Sequence, residues 1–172
     1  MAIRRLWLLV EGDDDQRFFE SFKHLFEEKH DFVQTWRYAV ESRKRIKNFL
    51  KSIEAMKSDY FFVKDLNAAP CVTARIESLE NEFGQKVGRN NLVIVVREIE
   101  SWYLAGLRSK SCKGLGLRPL SNTNNVTKEQ FNNLIPKKFD SRIDFMIEVL
   151  KRFSIETAKQ KNKSFEYFMS KI

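Results

Sequence analysis

The segment "WLLVEGDDDQRFF", residues 7–19, joins an apolar run, an acid, a glycine and the start of a helix. The apolar run predicts a strand over Arg4–Val10, of the continuous kind that is buried inside a parallel sheet. Gly12 permits a turn, and Asp13–Asp15 supply N-cap candidates for the helix that follows. The apolar stripe of that helix recurs at steps of three and four residues and consists of Phe18, Phe19, Phe22, Leu25 and Phe26.

The rest of the first hundred residues repeats this alternation of strand and helix. Further strands are predicted at Phe32–Val40, Asp59–Asp65 and Asn91–Val96, and helices at Ser42–Lys57, at Pro70–Phe83 and over "REIESWYLAGL". A β-α-β-α-β-α-β-α order predicts an α/β fold, with a Rossmann-like parallel four-stranded sheet flanked by helices.

The pattern changes after about residue 107. The Gly-, Ser- and Asn-rich stretch "SKSCKGLGLRPLSNTNN" predicts a loop, and helices are expected at "TKEQFNNLI", at Asp140–Phe153 and over "NKSFEYFMSKI". Thr127 and Gln130 have the spacing of a capping box. We therefore expect one domain overall, with an α/β core over 1–107 and a basic helical extension over 108–172 packed on it.

Composition limits the class of protein. A chain of 172 residues with 42% hydrophobic residues can build one core. No apolar run reaches the roughly 18 residues of a membrane span, and the N-terminal run meets Glu11 too early for a secretory signal. Cys71 and Cys112 have neither metal-ligand nor disulfide spacing, so two thiols in a reducing cytoplasm are expected.

Positive charge is concentrated in the C-terminal part. Residues 1–100 contain 17 Lys+Arg and 17 Asp+Glu, whereas residues 101–172 contain 14 Lys+Arg and 6 Asp+Glu. Such an excess favours a polyanionic partner. We expect nucleic acid, DNA or RNA, whose backbone would be held by Lys137, Lys138, Arg142 and Arg152.

Acidic residues follow three of the four predicted strands. Glu11 ends the first strand, Asp65 ends the third, and Glu98 and Glu100 follow the fourth. The carboxyl ends of parallel strands share one edge of the sheet, so these acids should converge there. Crowded carboxylates raise one another's pKa unless a cation neutralises them, and oxygen ligands select Mg²⁺, Mn²⁺ or Ca²⁺. The sequence therefore predicts a divalent-metal site.

Several neighbouring residues have an ordinary alternative role. Asp13 and Asp14 are expected to complement the helix dipole, while Asp15 is open between a capping role and a metal ligand. Only one of Glu98 and Glu100 can readily face the cleft. Lys64 is expected to point away from the sheet edge, although a phosphate contact stays open. The sequence contains no P-loop and no G-x-G-x-x-G, and His24 and His30 lack the partners of a zinc site.

Three segments, "LLVEGDDDQRFF", "VKDLNAAPC" and "LVIVVREIESWYLAG", resemble the Toprim fold. That family includes the catalytic domains of topoisomerases and primases and the nuclease domains of OLD-type proteins. The order of landmarks is most similar to small stand-alone Toprim-like proteins of unassigned function, often bacterial. The resemblance covers roughly residues 5–107.

The resemblance implies a Mg²⁺-dependent phosphodiester site. Glu11 matches the family glutamate that acts as general acid/base or metal ligand, and Asp15 matches the second acid after the first strand. Asp65 matches the first acid of the family D-x-D, whose second position is Asn67 here, so one negative charge is lost. Glu100 fits the later family glutamate, with Glu98 as second choice.

Our leading hypothesis is a small Toprim-like hydrolase, a Mg²⁺- or Mn²⁺-dependent nuclease with Glu11, Asp65 and Glu100 as catalytic residues. Asp15, Asn67 and Glu98 complete the metal-ligand set. The alternative is a catalytically weak or inactive Toprim-like module that binds nucleic acid or a larger protein partner, as in a defence or toxin-like system. The chain lacks the additional parts that topoisomerases and primases require.

Overall fold

The computed structural model describes residues 3–84 and 87–172, and its central element is a four-stranded sheet. The sheet is parallel throughout, with the strand order β2-β1-β3-β4. Its strands are β1 (Arg5–Val10), β2 (Phe32–Arg37), β3 (Asp59–Asp65) and β4 (Leu92–Val95). The predicted α/β class and the predicted parallel sheet are therefore confirmed.

Ten helices accompany the sheet in the described residues. They are α1 (Asp13–Ser21), α2 (His24–Glu27), α3 (Arg43–Ala55), α4 (Val72–Phe83), α5 (Glu100–Ala105), α6 (Ser109–Leu115), α7 (Lys128–Leu134), α8 (Arg142–Lys151), α9 (Ile155–Lys161) and α10 (Lys163–Met169). A single 3₁₀ turn at Arg89–Asn91 leads into β4.

Strand β1 is central because it pairs on both sides. Leu8 lies opposite Thr35 of β2 and opposite Phe61 of β3. A strand with neighbours on both edges and helices on both faces needs apolar side chains in both directions, which explains the continuous apolar run. The chain then leaves the sheet directly at Glu11, at the carboxyl edge.

Helices cover the two faces of the sheet. On one face, Leu9 and Phe62 join a buried cluster with α3, which contributes Ile46, Leu50 and Ile53, and with α4, which contributes Leu79 and Phe83. On the other face, α1 and α2 pack against β1 and β2. Phe26 of α2 contacts Phe61, with ring centroids 6.3 Å apart, and Phe61 alternates with Phe62 along β3.

Some predicted boundaries were wrong. The stripe from Phe18 to Phe26 belongs to two helices, since the chain leaves α1 at Phe22. Strand β2 ends at Arg37, and Tyr38 turns into the core while Val40 is 90% exposed. Pro70 lies outside α4, because Cys71 is the N-cap.

The largest error concerns α6, which lies inside the stretch predicted to be a loop. Cys112 and Leu115 are both buried, three residues apart on one side of this helix. Gly116 then ends the helix in the left-handed region, at φ 86°, a conformation that glycine adopts without steric cost. Helix α9 was also absent from the sequence-based prediction.

The predictions for the other C-terminal helices were confirmed. The Thr127 hydroxyl accepts a hydrogen bond from the Gln130 N–H at 3.2 Å, and the Gln130 side chain accepts one from the Thr127 N–H at 3.1 Å. The predicted last helix packs Phe165 and Phe168 inward, with 2% and 3% of their surface exposed.

The described chain divides into two compact units. Unit 1 comprises the described residues up to Ile94 together with Ile172, and unit 2 comprises Val95–Lys171. The division predicted at residue 107 stays a prediction. Unit 2 has a buried aromatic interior of its own, formed by Trp102, Tyr103, Phe131, Phe145, Phe165 and Phe168.

Candidate functional site

Glu11 ends the central strand of unit 1 with one carboxylate oxygen paired and the other buried. Lys64 Nζ donates to Glu11 Oε1 at 3.2 Å, and the Lys64 side chain is 19% exposed. Glu11 Oε2 is shielded from solvent and has no hydrogen-bond partner among the residues that the structure describes. The expectation that Lys64 points away from the sheet edge was therefore wrong. Side chains alternate between the two faces along a strand, and this alternation places residues 11 and 64 on the same side of neighbouring strands. Both side chains line the same cleft.

Three of the predicted site residues act electrostatically on Tyr38. Its ring is 4% exposed, and its hydroxyl donates to the Val63 carbonyl at 2.5 Å. Burial raises the pKa of the Tyr38 phenol well above its ordinary value, and the negative charges of Glu11, Asp15 and Asp65 raise it further. Acids that follow β1, lie in α1 and end β3 thus act on one buried ring. The sequence reasoning missed Tyr38 as a site residue, because it placed Tyr38 inside the predicted strand Phe32–Val40.

Asp15 lies in the first turn of α1 and is 8% exposed. Its Oδ2 accepts a hydrogen bond from the Gly12 N–H at 3.2 Å, which satisfies one backbone donor at the start of the helix. Asp13 forms an ion pair with Arg37, and Asp14 forms one with Arg17 at 2.7 Å. The three adjacent aspartates therefore differ in their surroundings, because Asp15 alone among them is buried and acts on Tyr38.

Asp65 and Asn67 follow one another at the end of β3. The Asp65 carbonyl accepts a hydrogen bond from Arg75 Nε at 3.1 Å. Asn67 is exposed and has a positive φ of 49°. Asparagine and aspartate tolerate this left-handed conformation better than most residues.

A cleft of about 240 Å³ opens beside Glu11 in unit 1. Half of its lining residues are charged: Glu11, Glu41, Arg43, Lys64 and Glu82. Two of the wall acids are paired with arginines: Glu82 with Arg43 at 3.0 Å, and Glu41 with Arg45 at 2.9 Å. Glu11 is therefore the wall acid whose oxygens are only half satisfied within the described residues.

Glu98 and Glu100 belong to unit 2 and make contacts there. Glu100 is 2% exposed, and its Oε1 accepts a hydrogen bond from Arg142 at 2.5 Å. The Arg142 guanidinium also donates to Asn132 at 2.7 Å and lies 5.4 Å from the centre of the Phe131 ring. Glu98 accepts a hydrogen bond from the Lys128 N–H. Arg142, predicted to hold nucleic acid, thus forms a largely buried ion pair.

The other predicted nucleic-acid residues differ in their contacts. Lys137 and Lys138 are exposed, and Lys138 Nζ donates to the Gly114 carbonyl at 2.9 Å. Arg152 forms an ion pair with Glu148 one helical turn earlier. The hydrogen bonds from Arg152 and Lys151 lower the pKa of Glu148 to about 2. Arg152 therefore shares the single negative charge of Glu148 with Lys151.

No three His, Cys, Asp or Glu side chains in residues 3–84 and 87–172 are grouped closely enough to hold a metal ion as they stand. The acids that act electrostatically on Tyr38 carry carboxylate oxygens, which suit Mg²⁺ or Mn²⁺ rather than zinc. Cys71 and Cys112 are free thiols, one exposed and one buried.

Across the part of the chain that the structure describes, no helix is long and apolar enough to cross a membrane. Comparisons with protein-family models, with curated proteins and with solved structures found no match for this chain. The Toprim resemblance accordingly stays a prediction.

Proposed function

We propose that this chain is a Toprim-like nuclease that cleaves phosphodiesters with Mg²⁺ or Mn²⁺ held at the carboxyl edge of the sheet in unit 1. The observation that carries the proposal is the buried Glu11 Oε2, which lacks a hydrogen-bond partner among the described residues. Buried polar atoms are nearly always satisfied, and an unsatisfied one costs about 1–3 kcal/mol, more when charged. A cation beside Glu11 would remove that cost.

The surrounding charges support a cation at this position. Glu11, Asp15 and Asp65 all act on the same buried phenol, so their negative charges add there. Lys64 supplies one compensating charge, through a single contact to Glu11 Oε1. Arg75 is a second compensating cation, since its charge also acts on Tyr38 and its Nε donates to the Asp65 carbonyl. Carboxylates that act on one buried ring still favour a bound cation.

The proposed donors are Glu11, Asp15 and Asp65, with the Asn67 amide as a further oxygen ligand. An ion bound there would neutralise these carboxylates and stabilise the charge that develops on a phosphate during displacement. Such an ion would compete with Lys64 for Glu11, and a displaced Lys64 could then contact a phosphate oxygen. Glu98 and Glu100 have no role in this proposal, because their carboxylates are engaged within unit 2.

The test is cleavage of labelled DNA and RNA with Mn²⁺ or Mg²⁺ by the wild type, Glu11→Gln and Glu41→Gln. Glu41 is a matched control, since it lines the same cleft but is paired with Arg45. We expect Glu11→Gln to lower the rate by about 100-fold or more, the usual effect of removing a catalytic acid or base. Glu41→Gln should stay close to the wild type. Unchanged cleavage by Glu11→Gln would remove Glu11 from the mechanism.

A second candidate function is binding of nucleic acid without cleavage. It is favoured by the Lys64–Glu11 ion pair, which already gives Glu11 a cation, and by the lack of a preformed metal group among the described residues. Calorimetry with Mn²⁺ separates the two functions. If the chain is a nuclease, we expect it to bind Mn²⁺, more tightly in Lys64→Met and more weakly in Glu11→Gln. If it is a binding module, we expect no heat of Mn²⁺ binding in any variant.

A further inference from the structure

Two groups of cations in unit 2 differ in their partners. In the first group, Lys151 and Arg152 share the carboxylate of Glu148, and Lys159 pairs with Glu156. Arg142 is likewise held by Glu100. Three carboxylates therefore offset three of the four positive charges of this first group.

The second group is exposed and lacks such partners. Residues 108–138 contain seven Lys+Arg and one acid, Glu129. Five of these cations lie on α6, in the loop after it and in the loop after α7: Lys110, Lys113, Arg118, Lys137 and Lys138. None of the five forms an ion pair within the described residues. We refer to these five residues as the α6 face.

Three contacts join the two segments that carry the five cations. Lys138 Nζ donates to the Gly114 carbonyl at 2.9 Å, near the end of α6. Pro136 lies against Gly116, where an added Cβ would stand 3.7 Å from the proline ring. Arg118 and Leu134 line the same small cavity. The loop after α7 therefore lies along α6 and its following loop, and their positive charges form one surface.

We infer that the α6 face binds the phosphate backbone of nucleic acid. Clustered ammonium groups without nearby carboxylates attract a polyanion and release the counterions that surround it. The choice of nucleic acid as the polyanion rests on the proposed function, whereas the existence of a polyanion-binding surface does not.

The composition of the α6 face also defines how it binds. Phe131 is fully buried, and the ring beside the α6 face is Phe139, which is half-buried and whose ring centre lies 5.4 Å from Lys138 Nζ. One partly covered ring provides little area for stacking on bases. Lysine is a compact point charge that contacts phosphates without reading base edges. Binding should therefore be independent of sequence and steeply dependent on salt.

The same composition argues against a membrane as the partner. Interfacial membrane binding needs apolar or aromatic side chains beside the basic ones. Leu134, 37% exposed, is the largest apolar contribution near the α6 face, and the more exposed Ile143 lies on α8. A surface of this kind suits a hydrophilic polyanion.

The test measures binding of labelled duplex DNA and single-stranded RNA by fluorescence anisotropy, in EDTA, over a series of salt concentrations. One variant, K110Q/K113Q/K137Q, removes three cations of the α6 face. A matched variant, K151Q/R152Q/K159Q, removes three ion-paired cations and so lowers the net charge equally.

We expect the first variant to bind about ten-fold or more weakly, with a salt slope reduced by about 0.9 for each duplex phosphate that the protein no longer neutralises. The matched variant should bind within about three-fold of the wild type. Equal weakening in both variants would show a general charge effect and overturn the inference, as would the absence of nucleic-acid binding at low salt. Preference for anionic vesicles over nucleic acid would also overturn it.

This experiment is separable from the test of the proposed function. Because EDTA removes divalent ions, binding is measured without cleavage. Binding that depends on the α6 face with no Mn²⁺-dependent cleavage would sustain this inference and defeat the nuclease proposal. Cleavage that depends on Glu11, with binding unaffected by K110Q/K113Q/K137Q, would do the reverse.

Discussion

At the scale of the residue, Glu11 and Glu100 show that a carboxylate with a buried oxygen needs a cationic partner. Both follow strands, and the sequence assigns both to one metal site. In the structure Glu100 forms an ion pair with Arg142, 42 residues later. Glu11 forms one with Lys64 through Oε1, while its Oε2 is buried without a hydrogen-bond partner among the described residues. Strand ends can be read from apolar runs, but a partner so distant in the chain has no local signal, so the sequence could not distinguish these two acids.

The ion pair of Glu100 should be important for stability. Arg142→Met removes the ion pair from a carboxylate whose side chain is 3% exposed, and Glu100→Ala removes it from a guanidinium whose side chain is 25% exposed. Each variant is expected to lose about 2–3 kcal/mol of unfolding free energy. Urea denaturation of both single variants and the double variant forms a cycle, in which the double variant should lose less than the sum. Strict additivity would show that the pair contributes nothing.

Tyr38 should make stability depend on alkaline pH. Its pKa is raised in the folded chain by burial first and by three carboxylates next, so the folded state keeps the phenol neutral. The stabilisation is complete below the unfolded pKa of about 10 and is lost as pH rises toward the folded pKa. The free-energy difference between wild type and Tyr38→Phe, measured by urea denaturation, should shrink above about pH 10. A difference that is constant over that range contradicts this account.

At the scale of the element, apolar spacing and capping residues predicted the strands and most helices, whereas glycine content misled the prediction at α6. Ser109, Gly114 and Gly116 indicate a loop, but burial of Cys112 and Leu115 stabilises a helix that these residues disfavour by propensity alone. A short stretch of sequence does not show which of its side chains the rest of the fold buries. The capping box at Thr127 was predictable because all its contacts are local.

Two glycines near this region should respond to alanine in opposite ways. Gly114 lies inside α6, and a Cβ there meets no atom within 4 Å, so Gly114→Ala should stabilise the fold by about 0.5–1 kcal/mol. Gly106 faces the Phe153 ring so closely that a Cβ would overlap it, and Gly106→Ala should cost about 1–3 kcal/mol. Thermal denaturation compares them directly. Destabilisation by Gly114→Ala would contradict the helical assignment of α6.

At the scale of the whole molecule, charge and chemistry are distributed unequally between the units. Residues 95–171 carry 15 Lys+Arg and 8 Asp+Glu, while the carboxylates around Tyr38 belong to unit 1. The uneven charge was visible in the sequence. What the sequence could not show is which cations are neutralised internally, and this distinction moves the proposed nucleic-acid contacts from Arg142 and Arg152 toward α6.

The central claim is that Glu11 and its neighbouring carboxylates hold a divalent ion, and crystals of the wild type and of Glu11→Gln soaked in Mn²⁺ test it most directly. The account predicts an anomalous peak about 2.0–2.4 Å from a Glu11 carboxylate oxygen in the wild type, and its loss in the variant. A wild-type crystal without a peak at Glu11, or a peak that persists in Glu11→Gln, would contradict it.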